Sequence, residues 1–137
     1  MSTGGTRRDI IRAFVPRSPL PATLGIHLEE VGDDRAVLAM PYSEPLATMA
    51  DVVHGGALAT LADTAAMAAA WATDEVPEQV AGATVSLSID YLAPARGDLT
   101  AEAHVIRRGG RTVFVRVEVL DAARAPVAAA QAVYRLG

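Results

Sequence analysis

Ala, Leu and Met dominate the chain from Gly55 to about Ala72, and in the interior of that stretch only Thr60, Asp63 and Thr64 have side chains able to hydrogen-bond. These apolar residues are strong helix formers, and Leu58, Leu61, Ala62, Ala65 and Ala69 recur at helical spacing. The remaining faces are hardly more polar. A helix that is apolar almost all round has to be covered on most sides by the rest of its own fold. The strictly apolar run Ala65 to Ala72 is far too short to span a bilayer. The segment therefore predicts one long central helix inside a globular core.

Extended segments supply the cover. Gly25 to Val31 and Arg35 to Met40 read as two strands around the turn Gly32-Asp33-Asp34. After a loop holding Pro77 come four more. Thr84 to Leu92 alternates Val85, Leu87, Ile89 and Tyr91 with polar residues, and Leu99 to Ile106 follows the break at Pro94 and Gly97. Arg107 to Thr112 forms a Gly-Gly hairpin turn, Val113, Val115, Val117 and Val119 alternate strictly, and Pro126 to Leu136 closes the chain. Thr6 to Val15 predicts a short amphipathic helix carrying Ile10, Ile11 and Phe14. Pro16, Pro19 and Pro21 then stop it, so residues 1–22 are expected to be a helix plus an extended link. Pro41 to Val53, with Pro41 and Pro45, is expected to be irregular. The order β-β-α-β-β-β-β implies an α+β fold, a curved antiparallel sheet around one central helix. At 137 residues the chain is expected to be a single domain, 1–137.

Composition narrows the chemistry. There is no cysteine, which excludes disulfides, Cys₄ zinc sites and thiol catalysis. A net charge of −4 argues against general nucleic-acid binding. The stretch from Met1 to Ile11 is polar, with no apolar signal-peptide core, so a cytoplasmic protein without a membrane anchor is expected. Few aromatic residues and many Ala and Val predict tight helix-on-sheet packing.

The chemistry concentrates in His54-Gly55-Gly56-Ala57-Leu58-Ala59-Thr60-Leu61-Ala62-Asp63-Thr64. Two glycines at a helix start admit close approach to backbone N–H groups that have no intrahelical acceptor, at the electropositive end of the helix dipole. Such an end can hold a developing oxyanion, or the glycines can simply make a tight turn. Asp63 lies two turns inside this apolar helix, seven residues after Gly56 and so on nearly the same face. A carboxylate there is either a functional group or a structural one tied by Thr60, Thr64 or a partner chain.

His-Gly-Gly, six residues, then Asp and a small polar residue resembles the phenylacetyl-CoA (PaaI-like) branch of the hot-dog thioesterases. The strand Ala83-Thr84-Val85-Ser86-Leu87-Ser88-Ile89-Asp90-Tyr91-Leu92-Ala93-Pro94-Ala95, the following Gly97-Asp98, and the basic turn from Arg107 to Thr112 are also similar. The resemblance runs from about Leu24 to the C-terminus. It implies a hot-dog fold and hydrolysis of an acyl- or aryl-CoA thioester to a carboxylic acid and free CoA. It further implies that the Gly55 N–H polarises the thioester carbonyl, with Gly56 beside it at the substrate. Asp63 would activate water or attack directly, across the interface of a homodimer or a dimer of dimers (homotetramer). Thr84 would supply a supporting hydroxyl. Thr48 stands six residues before His54, where the family often has an Asn that assists the carbonyl.

His54 is either a general base or, through its ring, a tie for the preceding loop. His27 and His104 are isolated in strand-like runs without metal-ligand spacing, and neither a metal nor another cofactor is implied. Gly-x-Ser-x-Gly, P-loop and dinucleotide fingerprints do not occur. Arg107, Arg108 and Arg111 could anchor CoA phosphates or simply solvate a hairpin end. Two rival functions share the fold: a non-catalytic acyl-CoA-binding regulatory domain, and a dehydratase. The first has no need of Asp63, and the second pairs a His with an acid in a motif that does not occur here.

Overall fold

The computed structural model describes residues 5–137; the Met1–Gly4 part of the polar N-terminus lies outside the described residues. Helix α1 (Arg7–Phe14) starts at a capping box, in which the Thr6 hydroxyl accepts the Asp9 N–H and the Asp9 carboxylate accepts the Thr6 N–H. The segment after it is not the extended link expected from its prolines. A 3₁₀ turn (Val15–Arg17) and a short helix α2 (Pro19–Thr23) occupy it. Each proline sits in a first helical turn, where its missing N–H would have had no intrahelical acceptor, so it opens a helix instead of ending one.

Strands β1 (His27–Gly32) and β2 (Arg35–Met40) form the first hairpin. The stretch expected to be irregular holds a 3₁₀ turn (Glu44–Leu46) and a small hairpin of β3 (Ala47–Met49) and β4 (Val52–Val53). The central helix α3 (Gly55–Ala70) follows, then β5 (Gly82–Tyr91), β6 (Leu99–Gly109), β7 (Thr112–Leu120) and β8 (Pro126–Leu136). The six long strands make one sheet in the order β1-β2-β6-β7-β8-β5, antiparallel at every pairing. Strand β6 runs on to Gly109, past the Ile106 at which its sequence suggests it ends, and the turn narrows to Gly110 and Arg111, with Gly110 at φ +60°.

The sheet curls around α3. Val113, Val115, Val117 and Val119 of β7 are fully buried against the helix, as are Ala101 and Ala103 of β6 and Ala128 and Ala132 of β8. These small facing residues let helix and sheet approach closely, and register shifts in β1, β5 and β6 bend the strands. The cover is incomplete along one stripe. Gly56, Thr60, Asp63 and Met67 follow one another at helical spacing and stay at least partly accessible, while Leu58, Leu61, Ala62, Ala65 and Ala66 are buried. Among the described residues no helix is long and apolar enough to cross a membrane.

Candidate active site

The head of α3 is built by its flanking residues. His54 is the N-cap, and its Nδ1 accepts the Gly56 N–H at 2.8 Å. An amide can only donate, so Nδ1 bears the lone pair and the ring proton sits on Nε2. His54 thus ties the loop to the helix through Nδ1. Gly56 suits this cap, since a Cβ would crowd Nδ1 at 3.0 Å. The His54 carbonyl accepts from Ala57 at 2.9 Å and from Leu58 at 3.2 Å. The Gly55 N–H has no acceptor among the described residues. Tyr91 of β5 lies over this position: its hydroxyl donates to the Gly55 carbonyl at 2.9 Å, and a Cβ on Gly55 would touch its ring at 3.3 Å. Thr48, on β3, lines the same cleft of about 560 Å³ as Gly55, Leu58 and Tyr91.

Asp63 is half-buried, opening on a separate cavity of about 230 Å³ that Ser18 and Leu20 also line. The Thr84 hydroxyl donates to its Oδ1 at 2.6 Å. Strict alternation along β5 would put Thr84 on the opposite face from Leu87. The register shift between Thr84 and Ser86 brings both inward and leaves Val85 64% exposed. The bulge is what aims the hydroxyl at the carboxylate. Tyr134 of β8 completes the wall, its oxygen accepting from Trp71 Nε1 at 3.1 Å. Burial raises the Tyr134 phenol above its ordinary range, the Trp71 hydrogen bond draws it partly back, and the Asp63 charge raises it again.

Gly55 and Asp63 are eight residues apart, ~12 Å along the axis at 1.5 Å per residue. One small reacting group cannot touch both within one chain. The arginine turn lies at the other end of α3 from Gly55. There the Arg108 Nε donates to Asp34 at 2.8 Å and its Nη2 to the Ala69 carbonyl at 3.2 Å, satisfying the helix C-terminus. Arg107 and Arg111 are exposed and make no ion pair among the described residues. His27 and His104 are exposed on β1 and β6.

Two residues escaped the sequence reading. Tyr91 is the last residue of β5, where a strand-end aromatic looks like ordinary packing. Its partner is a backbone carbonyl, which no side-chain pattern announces. Tyr134 reads as one more inward residue of β8, and only the fold brings it to Asp63.

The profile of the thioesterase superfamily matches residues 50–128, more than half of the chain. The medium/long-chain acyl-CoA thioesterase YigI of Escherichia coli is 30% identical over 139 aligned positions, covering 90% of this chain and 89% of its own. An esterase-named protein of Halobacterium salinarum is 36% identical over 117 residues, covering 83% of this chain and 78% of its own. The solved structure of PaaI from the Escherichia coli phenylacetic acid degradation operon superposes with a TM-score of 0.79 at 24% identity, covering 96% of this chain and 95% of that one. The antiparallel sheet curled around α3 is the hot-dog arrangement of these neighbours, and the chain belongs to the thioesterase superfamily.

Proposed function

We propose that the protein hydrolyses acyl-CoA thioesters to a carboxylic acid and free CoA. The observation that carries this reading is the pairing of an acceptor-less N–H at the head of α3 with a hydroxyl-bound carboxylate just over two turns further on, on the same apolar helix. The thioester oxygen accepts the Gly55 N–H, and the positive end of the helix dipole stabilises the oxyanion as it forms. The Thr48 hydroxyl, in the same cleft, is the candidate second donor. Asp63 either takes the proton of the attacking water or adds its own carboxylate to the carbonyl carbon, giving an anhydride that water then cleaves. In both routes the C–S bond breaks, sulfur leaves with a proton, and the acid is released. Thr84 holds the carboxylate in place by its hydroxyl.

The ~12 Å between Gly55 and Asp63 supports a reading in which the two halves of each site come from two copies of the chain. A surface suited to that pairing runs beside the site. Strand β5 is an edge of the sheet, and Met49, Val85, Tyr91 and Leu92 are more than half exposed. Arg107 and Arg111 are candidates for the CoA phosphates, since Arg108 is engaged by Asp34 and Ala69.

Complementation tests the whole arrangement. Gly55→Pro removes the N–H at the first helical position, where proline is tolerated, and His54 already has the extended backbone that proline demands of its neighbour. Gly55→Pro and Asp63→Asn proteins, each inactive alone on a panel of acyl-CoAs, are co-refolded. Random pairing makes roughly half of the dimers mixed, each with one intact site, so about a quarter of wild-type CoA release returns. No release by the wild-type protein refutes the activity; no recovery on mixing refutes the shared site.

A further inference from the structure

Past Asp63 the open stripe of α3 continues through Met67, one turn on, to Trp71 just beyond the helix. Met67 and Trp71, with Ile11 and Phe14 of α1, Val80 of the loop before β5, and Tyr134, line a cavity of about 180 Å³. The Tyr134 phenol is its one ionisable lining group, and that oxygen already accepts from Trp71. The cavity abuts the Asp63 cavity, since Met67, Gly82 and Tyr134 line both. Gly82 is needed at the junction: a Cβ there would come within 2.5 Å of the Tyr134 hydroxyl. The outer wall is fixed. Arg7 pairs with Glu75 at 2.7 Å, Arg8 pairs with Asp74 at 2.7 Å and with Asp33, and Ile10 and Ile11 on α1 are buried.

We propose that this space beneath α1 receives the end of the acyl group, a six-membered ring or a chain of about six to eight carbons, and that Met67 and Phe14 set the length limit. The inference rests on the thioesterase reading for the position of the thioester at Asp63 and adds which surface selects the acyl group. Size sets the class: an apolar cavity of about 150 Å³ holds a benzene ring, and this one is slightly larger. Polarity sets the direction of binding. The pantetheine arm of CoA carries amides, and this lining leaves them without partners. The charged groups lie beyond Trp71, where Arg7 and Arg111 border a cleft of about 370 Å³. A substrate with its tail here leads its CoA away from that cleft, so the arginines that meet its phosphates come from another copy.

The test is a chain-length series. Initial rates are measured from acetyl- to palmitoyl-CoA for the wild type, Phe14→Ala and Met67→Phe. Phe14 is 44% exposed and Met67 partly so, and both variants should fold. For the wild type, kcat/KM should climb roughly fourfold per added methylene and stop near eight carbons. Phe14→Ala should move that limit at least two carbons longer, and Met67→Phe at least two shorter. Trp71 is the only tryptophan, so its fluorescence reports occupancy without turnover. Hexanamide and cyclohexylacetamide should change it in the wild type and bind at least fivefold more weakly to Met67→Phe. Hydrolysis with the same length limit in all three proteins overturns the pocket and leaves the thioesterase reading standing. If no acyl-CoA is hydrolysed, that reading fails, and the amides decide the pocket: a saturable Trp71 response supports it and none overturns it.

Discussion

Asp63→Asn separates catalysis from folding at the position where the two readings of the sequence diverged. Asn has the shape of Asp, and its carbonyl oxygen can still accept the Thr84 hydroxyl now held at 2.6 Å. What disappears is the basicity and the charge. General-base assistance is worth on the order of 10²–10⁴-fold, so kcat for CoA release, followed with a thiol reagent, should fall by at least about a hundredfold. The structural account is smaller. A hydrogen bond to a charged group is worth about 1 kcal/mol more than a neutral one, and relief of the partial burial of a carboxylate offsets much of that loss. Stability should stay within about 1 kcal/mol, a melting shift of at most about 5 °C. Substrate binding should survive, because the Gly55 N–H is untouched. An Asn variant with near wild-type kcat would refute the assignment. A variant that unfolds would make Asp63 a structural carboxylate.

Thr84→Val keeps the volume and removes the donor; losing a hydrogen bond to a charged group should lower kcat about 10- to 100-fold in the same assay, with the fold intact by circular dichroism. Arg107→Ala with Arg111→Ala should raise KM, leave kcat nearly unchanged and flatten the salt dependence, whereas Arg108→Ala should lower the melting temperature by severing α3 from Asp34. Ala59 lies midway between Gly55 and Asp63, so two antiparallel copies of α3 that exchange these residues cross nearest to it. In this cysteine-free chain, Ala59→Cys should give a chain-to-chain crosslink with a short bismaleimide, and Cys at the exposed Arg135 on β8 should not.

The parts of the fold legible in the sequence are those where one interaction dominates. The valines of β7 alternate because one face meets α3 and the other meets water, and the structure buries all four. The buried character of α3 follows as directly from its composition. The prolines misled because proline both ends a helix and begins one, and which it does depends on what packs next. Here Val15 and Pro21 are buried against the core, which favours helical turns over an extended link. Thr84 shows a subtler limit. Its position in the family motif pointed to Asp63, but alternation along β5 pointed away from it, and only the bulge reconciles the two. Nor does a pattern of apolar residues reveal that Arg108 is engaged at the helix end while its neighbours are exposed, because that depends on where Asp34 lands.

Folding and chemistry divide α3 by face. The covered side carries Leu61, Ala62, Ala65 and Ala69, all fully buried, and truncating such a leucine to alanine costs about 2–5 kcal/mol. The open stripe of Gly56, Thr60, Asp63 and Met67 contributes little to that core, so polar and glycine residues persist there at small cost in stability. The Thr60 and Thr64 hydroxyls do not compete for the carboxylate, because each donates back to the helix carbonyl four residues earlier, at 2.9 Å and 2.7 Å. Among the described residues Asp63 thus keeps one side-chain partner, on a neighbouring strand, and one face toward open space. A carboxylate held from one side and unpaired on the other can accept a proton or attack, which a fully satisfied structural carboxylate on the same helix could not do without breaking its own bonds.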